Sequence, residues 1–187
     1  MTTKKLWCML GAVILLSFAI LGFYGTEIFR TMPPFPTKVV TTEDEVLFKG
    51  QDIKDGQNVW QSIGGQTVGS IWGHGAYIAP DWNADYLHRE SKLMLDKLAQ
   101  RDGLNYATLS PAEQAKYQVL LQEELRKNTF DPTTGVITYS PLRAEVAKEI
   151  GQHYAKLFLG DNSPEYAKLR TAYALRPQSL EDSTKMA

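Results

Sequence analysis

From Leu6 to Thr26 the chain runs 21 residues without a charge. As a helix rising ~1.5 Å per residue it reaches about 31 Å, the thickness of a bilayer hydrocarbon core of roughly 30 Å, so the run reads as a transmembrane helix. A cleavable signal peptide is the competing reading. Its apolar region usually spans ~7–15 residues and ends at an Ala-x-Ala-like site. Here the run is longer and closes on Gly22-Phe23-Tyr24-Gly25-Thr26, which favours the anchor. Lys4 and Lys5 precede the run and Glu27 follows it, so the positive-inside rule leaves the N-terminus in the cytoplasm and exports the residues after about position 30.

Composition narrows what the remainder can do. Beyond the two leading lysines the chain holds 18 Lys and Arg against 21 Asp and Glu, which excludes the clustered basic excess of a nucleic-acid-binding surface. Cys8 is the single cysteine. An intramolecular disulfide, a cysteine zinc site and covalent c-type haem attachment through Cys-x-x-Cys-His are all excluded with it.

Pro33, Pro34 and Pro36 disfavour helix and predict a semi-rigid, extended spacer over residues 31–45. A mainly helical pattern follows. Ile53, Gln57 and Trp60 share helical spacing, and a second helix is expected after Pro80-Asp81 with Leu87, Met94 and Leu98 on one face. Ser110-Pro111-Ala112-Glu113 combines an N-cap, a first-turn proline and a capping-box glutamate, opening a helix with Tyr117, Leu121 and Leu125 on one stripe. Phe130 to Gly135 reads as a turn before a short β-prone piece, Val136 to Tyr139. Ser140-Pro141 starts another helix with Leu142, Val146, Ile150, Tyr154 and Leu157 inward and Gly160 at its end, and Ser163-Pro164-Glu165 starts a last short one.

No familiar catalytic signature appears: no Gly-x-Ser-x-Gly elbow, Walker loop, dinucleotide fingerprint or His-Glu-x-x-His. Glu145, Glu149 and His153 recur every four residues and so line one helix face, where they are capable in principle of holding a cation. The helical wheel favours a half-buried histidine beside a solvated charge row. The unusual stretch is Asn58 to Glu90, with three of the four tryptophans and five glycines between Gly64 and Gly75. Glycines let backbones approach closely and expose carbonyl oxygens, which are hard-cation ligands, while tryptophans supply rigid contact area. A tightly turned loop wedged by tryptophans in a small core is the alternative reading.

The block Trp60-Gln-Ser-Ile-Gly-Gly-Gln66, the block Gly69-Ser-Ile-Trp-Gly-His-Gly-Ala-Tyr77 with Ala79-Pro-Asp-Trp82, and the tail Tyr173-Ala-Leu-Arg-Pro177 together resemble the N-terminal part of the quinol-dependent nitric oxide reductases. These membrane enzymes of the haem-copper oxidase superfamily reduce two NO to N2O and water. The resemblance covers nearly the whole chain. It implies a mainly α fold: a cytoplasmic N-terminus and transmembrane helix over residues 1–30, the spacer over 31–45, an exported haemless cytochrome c-like domain with a short β-prone element over 46–177, and a lead-in to a second transmembrane helix over 178–187.

In the cytochrome c-dependent relatives, Cys-x-x-Cys-His precedes a Gly-x-Ala-Tyr-type turn. Aligning Gly75-Ala76-Tyr77 with that turn places Gly65, Val68 and Gly69 where two cysteines and a histidine would stand. The resemblance nominates Gly75, through its carbonyl, and Tyr77, through its hydroxyl, as part of a calcium site shared with haem propionates of the catalytic core. It nominates no catalytic residue. Haem b, a high-spin haem and the non-haem iron of such enzymes belong to a transmembrane core of a further dozen or so helices, whose ligands this chain does not supply. The implied partners are the membrane and that core, and the implied location is the bacterial cytoplasmic membrane with the domain on the periplasmic side. The resemblance implies that the chain is part of a reductase, as a fragment, split gene product or remnant. A stand-alone, non-enzymatic membrane-anchored binding module that docks a partner through the Trp72-to-Trp82 surface is the second reading.

Overall fold

The computed structural model describes residues 2–62, 64–67, 69–71, 73, 80–159, 163–173 and 175. It divides into two units, Met1–Phe35 and Pro36–Ala187. The first is a single helix, α1 (Thr3–Thr31), which is long and apolar enough to cross a membrane, with a mean hydropathy of 2.4 in its most apolar window and none of that window buried. Polar side chains near its C-terminal end bond within the helix. Thr26 donates its hydroxyl to the Gly22 carbonyl at 2.7 Å and Thr31 to that of Glu27 at 2.9 Å, while Arg30 pairs with Glu27 at 3.5 Å.

In the second unit the order is β1 (Lys38–Thr41), β2 (Val46–Lys49), α2 (Gly50–Ser62), α3 (Trp82–Arg101), α4 (Pro111–Arg126), β3 (Phe130–Asp131), β4 (Val136–Tyr139), α5 (Pro141–Leu159) and α6 (Pro164–Ala172). Among the described residues the chain is thus mainly helical, as its patterning predicts, with one small sheet. The core forms where α3 and α5 cross. Met94, Leu142, Val146 and Ile150 are buried together, with Tyr86, Leu93, Leu98, Leu121, Leu125 and Tyr154 packed around them. The capping box of α4 is complete: the Ser110 amide donates to Glu113 Oε2 at 2.9 Å and the Glu113 amide to Ser110 Oγ at 3.4 Å.

The sheet runs in the order β2-β1-β4-β3, with β1 antiparallel to β2, parallel to β4, and β3 antiparallel to β4. The stretch expected as a spacer over 31–45 therefore contains a strand of the domain. Lys38–Thr41 pairs on both sides, and Val39 and Val40 are buried at 1% and 3% exposure. Prolines 33, 34 and 36 make the chain extended, and extended backbone with two valines has a sheet edge to join. Likewise Phe130–Asp131, expected as the start of a turn, pairs with β4 before Asp131 organises that turn.

The inward face of α3 also differs from the periodic reading. Leu87 is 52% exposed, whereas Glu90, at 0%, is among the most buried side chains of the domain. The helix begins on Trp82, and its buried line runs through Tyr86, Glu90 and Met94, so a charged residue occupies an inward position. Ile53 and Gln57 of α2 are exposed as well, leaving Trp60 as the buried member of that expected face.

Glu90 is held from α5 by Arg143, whose Nε donates to Glu90 Oε1 at 2.9 Å and whose guanidinium lies 4.5 Å from the Tyr139 ring centre on β4. This pair ties α3, α5 and the sheet together. Burial, and then the Glu90 charge, push the Tyr86 phenol well above its usual range. Because removing one partner strands a buried charge, Arg143→Met is expected to destabilise the full chain by about 3–5 kcal/mol, and Glu90→Leu with Arg143→Met to recover most of that loss. Urea unfolding followed by tryptophan fluorescence checks this; a single Arg143→Met variant as stable as the parent contradicts it.

Candidate functional site at the glycine-rich turn

Trp60, at the end of α2, and Trp82, at the start of α3, meet edge to face with ring centres 6.2 Å apart. Each ring lies on a glycine. Gly65 is buried under Trp60 and Gly69 under Trp82, and a Cβ at either position would overlap the indole. Trp82 is also ringed by Tyr154 at 6.2 Å, Phe158 at 5.6 Å and Tyr173 at 5.6 Å. The Trp82 ring, of intermediate burial, is therefore packed on several sides by aromatic rings of the domain.

Beyond Gly69 the chain is clamped where it leaves and returns. The Ser70 amide donates to the Pro80 carbonyl at 2.9 Å, and the Trp82 amide to the Ser70 carbonyl at 2.9 Å. Asp81 adds its side chain. Oδ2 accepts from the Ser70 hydroxyl and the Gly73 amide, both at 2.7 Å, and Oδ1 accepts from the Ala84 amide at 2.9 Å, capping α3. The Ser70 hydroxyl and the Ala84 and Gly73 amides hold the Asp81 carboxyl below the usual carboxylate range. Gly73 has φ +73°, a left-handed conformation that a side chain would strain. Gly75 and Tyr77, the residues nominated for calcium, lie outside the described residues, as do Val68, Trp72 and His74.

The other candidate cluster is engaged internally. Lys97 of α3 bridges Glu145 at 2.8 Å and Glu149 at 2.9 Å. His153 Nδ1 lies 3.0 Å from the Tyr166 hydroxyl of α6, and its Nε2 is buried without a partner among the described residues. The two glutamates thus face a lysine and the histidine faces a tyrosine, the solvated-row arrangement that the helical wheel favours. These residues border an open groove of about 900 Å³ between α3 and α5, with His88, Lys92, Lys148 and Lys156 on its walls. No group of three or more metal-ligating side chains occurs among the described residues.

Comparison with protein-family models matches residues 36–187 to the NorB cytochrome c-like domain of nitric oxide reductase. The chain belongs to this family. A comparison with curated proteins finds no match. The matched span begins at Pro36, where the second structural unit also begins, so β1 falls inside the family domain. Gly65 and Gly69, which the resemblance is expected to set against haem-attachment positions of the relatives, each lie under a tryptophan ring, so a larger side chain at either displaces an indole.

The tryptophan and glycine clusters are visible in the sequence, but their pairwise contact is not. The Glu90–Arg143 pair escapes a sequence reading altogether, because a charged residue in a helix reads as exposed. Its only sequence signal is its place between Tyr86 and Met94 on an i, i+4 line.

Two outcomes follow from this geometry. Gly69→Ala and Gly65→Ala are each expected to destabilise the full chain by about 1–3 kcal/mol through overpacking. Gly151→Ala, in α5 with nothing within 4 Å of its added carbon, should be neutral or stabilising by up to about 1 kcal/mol. Thermal unfolding of the three variants tests the contrast.

For His153, burial and then the neighbouring Arg89 lower the pKa from 6.5. The unfolded chain therefore binds the proton more readily, and the contribution of this group to stability is present above pH 6.5 and shrinks as pH falls through that value toward the lower folded pKa. His153→Gln should flatten the stability–pH profile in that window; an unchanged slope refutes the assignment.

Proposed function

We propose that this chain is the membrane-anchored, haemless cytochrome c-like part of a quinol-dependent nitric oxide reductase. It caps the exported face of the catalytic core in the bacterial cytoplasmic membrane, shields the haem propionates there and helps to complete a calcium site. The observation that carries the reading is the seating of Trp60 on Gly65 and Trp82 on Gly69 within a domain of the NorB cytochrome c-like family. Two of the positions that the resemblance aligns with haem attachment are glycines under indole rings, and the sole cysteine, Cys8, lies in α1, which supports a domain without covalent haem. A domain without its own redox centre does not relay electrons from a soluble cytochrome, which supports quinol in the membrane as the donor.

In this reading the chain's residues bind and orient and take no part in bond making. Lys4 and Lys5 before the uncharged run and Glu27 after it favour a cytoplasmic N-terminus, with the family domain outside. The Gly75 carbonyl and Tyr77 hydroxyl suit calcium as hard, oxygen-only donors. Gly75 and Tyr77 would be this chain's donors, and since two are too few for a calcium shell of about six to eight, the rest would come from the core and the isolated chain would bind calcium weakly. Held there, the cation would supply positive charge against the propionates.

Tyr77→Phe tests the reading in the chain assembled with its catalytic core. The ring is kept and one oxygen is lost, which in a merely packed site costs about 1 kcal/mol of stability and leaves activity intact. As a calcium ligand, its loss is expected to lower calcium content and NO reduction together while the domain stays folded. Unchanged calcium content and unchanged activity overturn the calcium role.

A further inference from the structure

Helix α6 is held to the domain by few contacts. Its 9 residues fall short of the ~12–15 at which an isolated helix becomes even marginally stable in water, and none of them is buried. Its place therefore depends on what its inward side chains meet on α5. Tyr166 lays its ring with the centre 5.4 Å from that of His153 and brings its hydroxyl to 3.0 Å from His153 Nδ1. Arg170 reaches the Lys156 and Leu157 carbonyls only at 3.5 Å. From this geometry we propose that His153 and Tyr166 form an acid-released latch: the neutral His153 ring holds α6 against α5, and the protonated ring lets it go.

The chemistry of the two ring nitrogens gives the direction. A neutral imidazole has one donor and one acceptor, and a hydroxyl serves as partner to either, so Nδ1 is satisfied by Tyr166 in both tautomers. Nε2 is buried without a partner among the described residues. In the neutral ring that leaves one polar atom unsatisfied, whereas in the cation both nitrogens are donors and the Nε2 N–H carries part of a buried positive charge. The surroundings do little for that charge. On α3, Asp85 already accepts from Arg89 Nε at 2.8 Å and from the Tyr154 hydroxyl at 2.9 Å, and Arg89 brings a positive charge of its own. His88, Lys92 and Asp96 line the same groove along α3. On α5, Glu145 and Glu149 are paired with Lys97, and Lys156 adds a further cation. Helix α6 supplies Glu165, which is exposed and so screened by water and salt, beside the cations Lys168 and Arg170. Burial and the Arg89 charge outweigh Asp85 and Glu165 and hold the His153 pKa below 6.5. Once α6 has left, the ring binds its proton nearer the ordinary value. The latch is therefore closed above about pH 6.5 and weakens as pH falls through that value toward the lower pKa of the docked ring. It works without a metal and without the catalytic core.

Amide hydrogen exchange resolved by NMR on the full chain, corrected for the intrinsic pH dependence of exchange, reads the opening of α6. Between pH 7 and pH 5 the opening constant at α6 amides such as Leu169 is expected to rise about tenfold. At each pH, Leu169 should open at least about tenfold more often than Ile150 in the core, as a helix does that leaves while the core stays folded. His153→Gln keeps a polar group that takes up no proton, and should remove the rise. Tyr166→Phe keeps the ring contact and loses the hydroxyl, and should raise the opening of α6 about fivefold already at pH 7. The His153 ring resonances of the parent chain should titrate below pH 6.5, a readout that needs no variant to fold. Opening of α6 that is independent of pH, or that rises equally in His153→Gln, overturns the proposal. So does a ring that titrates at or above 6.5, a Tyr166→Phe chain with unchanged opening at pH 7, or Leu169 opening only together with Ile150.

Discussion

The domain is organised around one indole. Trp82 opens α3 and touches Gly69, Trp60, Tyr154, Phe158 and Tyr173, so a single side chain joins α2, the glycine-rich turn, both long helices of the core and the turn after α6. Its Nε1 is buried without an acceptor among the described residues, which costs about 1–3 kcal/mol. Covering an aromatic side chain of ~150–250 Å² contributes about 4–6 kcal/mol at ~25 cal/mol per Å², so burial wins despite the orphaned N–H. The same balance explains the glycines. Only a residue without a side chain lets the ring lie flat enough on the backbone to collect that area.

A second anchor, this one polar, lies further along α3. Glu90 is buried completely and Arg143 partly, and their hydrogen bond together with the Arg143–Tyr139 stack attaches the sheet to the helices. Such a pair adds little net stability over apolar residues of the same size, since desolvation nearly cancels attraction. What it contributes is register: the guanidinium meets the carboxylate at one relative position of the helices. Lys97 with Glu145 and Glu149 repeats the constraint beyond it at a more exposed site.

How legible the fold is in the sequence depends on how local each signal is. Ser110-Pro111-Ala112-Glu113 and Ser140-Pro141 place two helix starts correctly because caps act within three or four residues, and both form in the structure. The stripes of α4 and α5 are legible for the same reason. β1 is not, because four residues behind a proline run are too few for a period, and the partner that makes them a strand lies far along the chain. Glu90 is hidden by its own charge, and Leu87 reads as a core residue in consequence. At the glycine-rich turn, the residue types point to close backbone approach, but which ring covers which glycine depends on three-dimensional packing. The Asp81 clamp is half legible: aspartate before a helix announces a cap, and nothing in the string of letters shows its second oxygen turning back to Gly73.

The parallel pairing of β1 with β4 also sets an order of events in biogenesis. Thr37 and Gly135, which bond across the start of this pairing, are 98 positions apart. A chain that emerges N-terminus first delivers β1 and β2 early, and they can close into a hairpin at once, but the other edge of β1, with Val39 and Val40, stays open until β4 arrives. Contacts of such separation are slow to form, and an open apolar edge invites pairing with other chains in the interval. The span of sequence between the two strands therefore sets how long that edge of the nascent domain stays exposed.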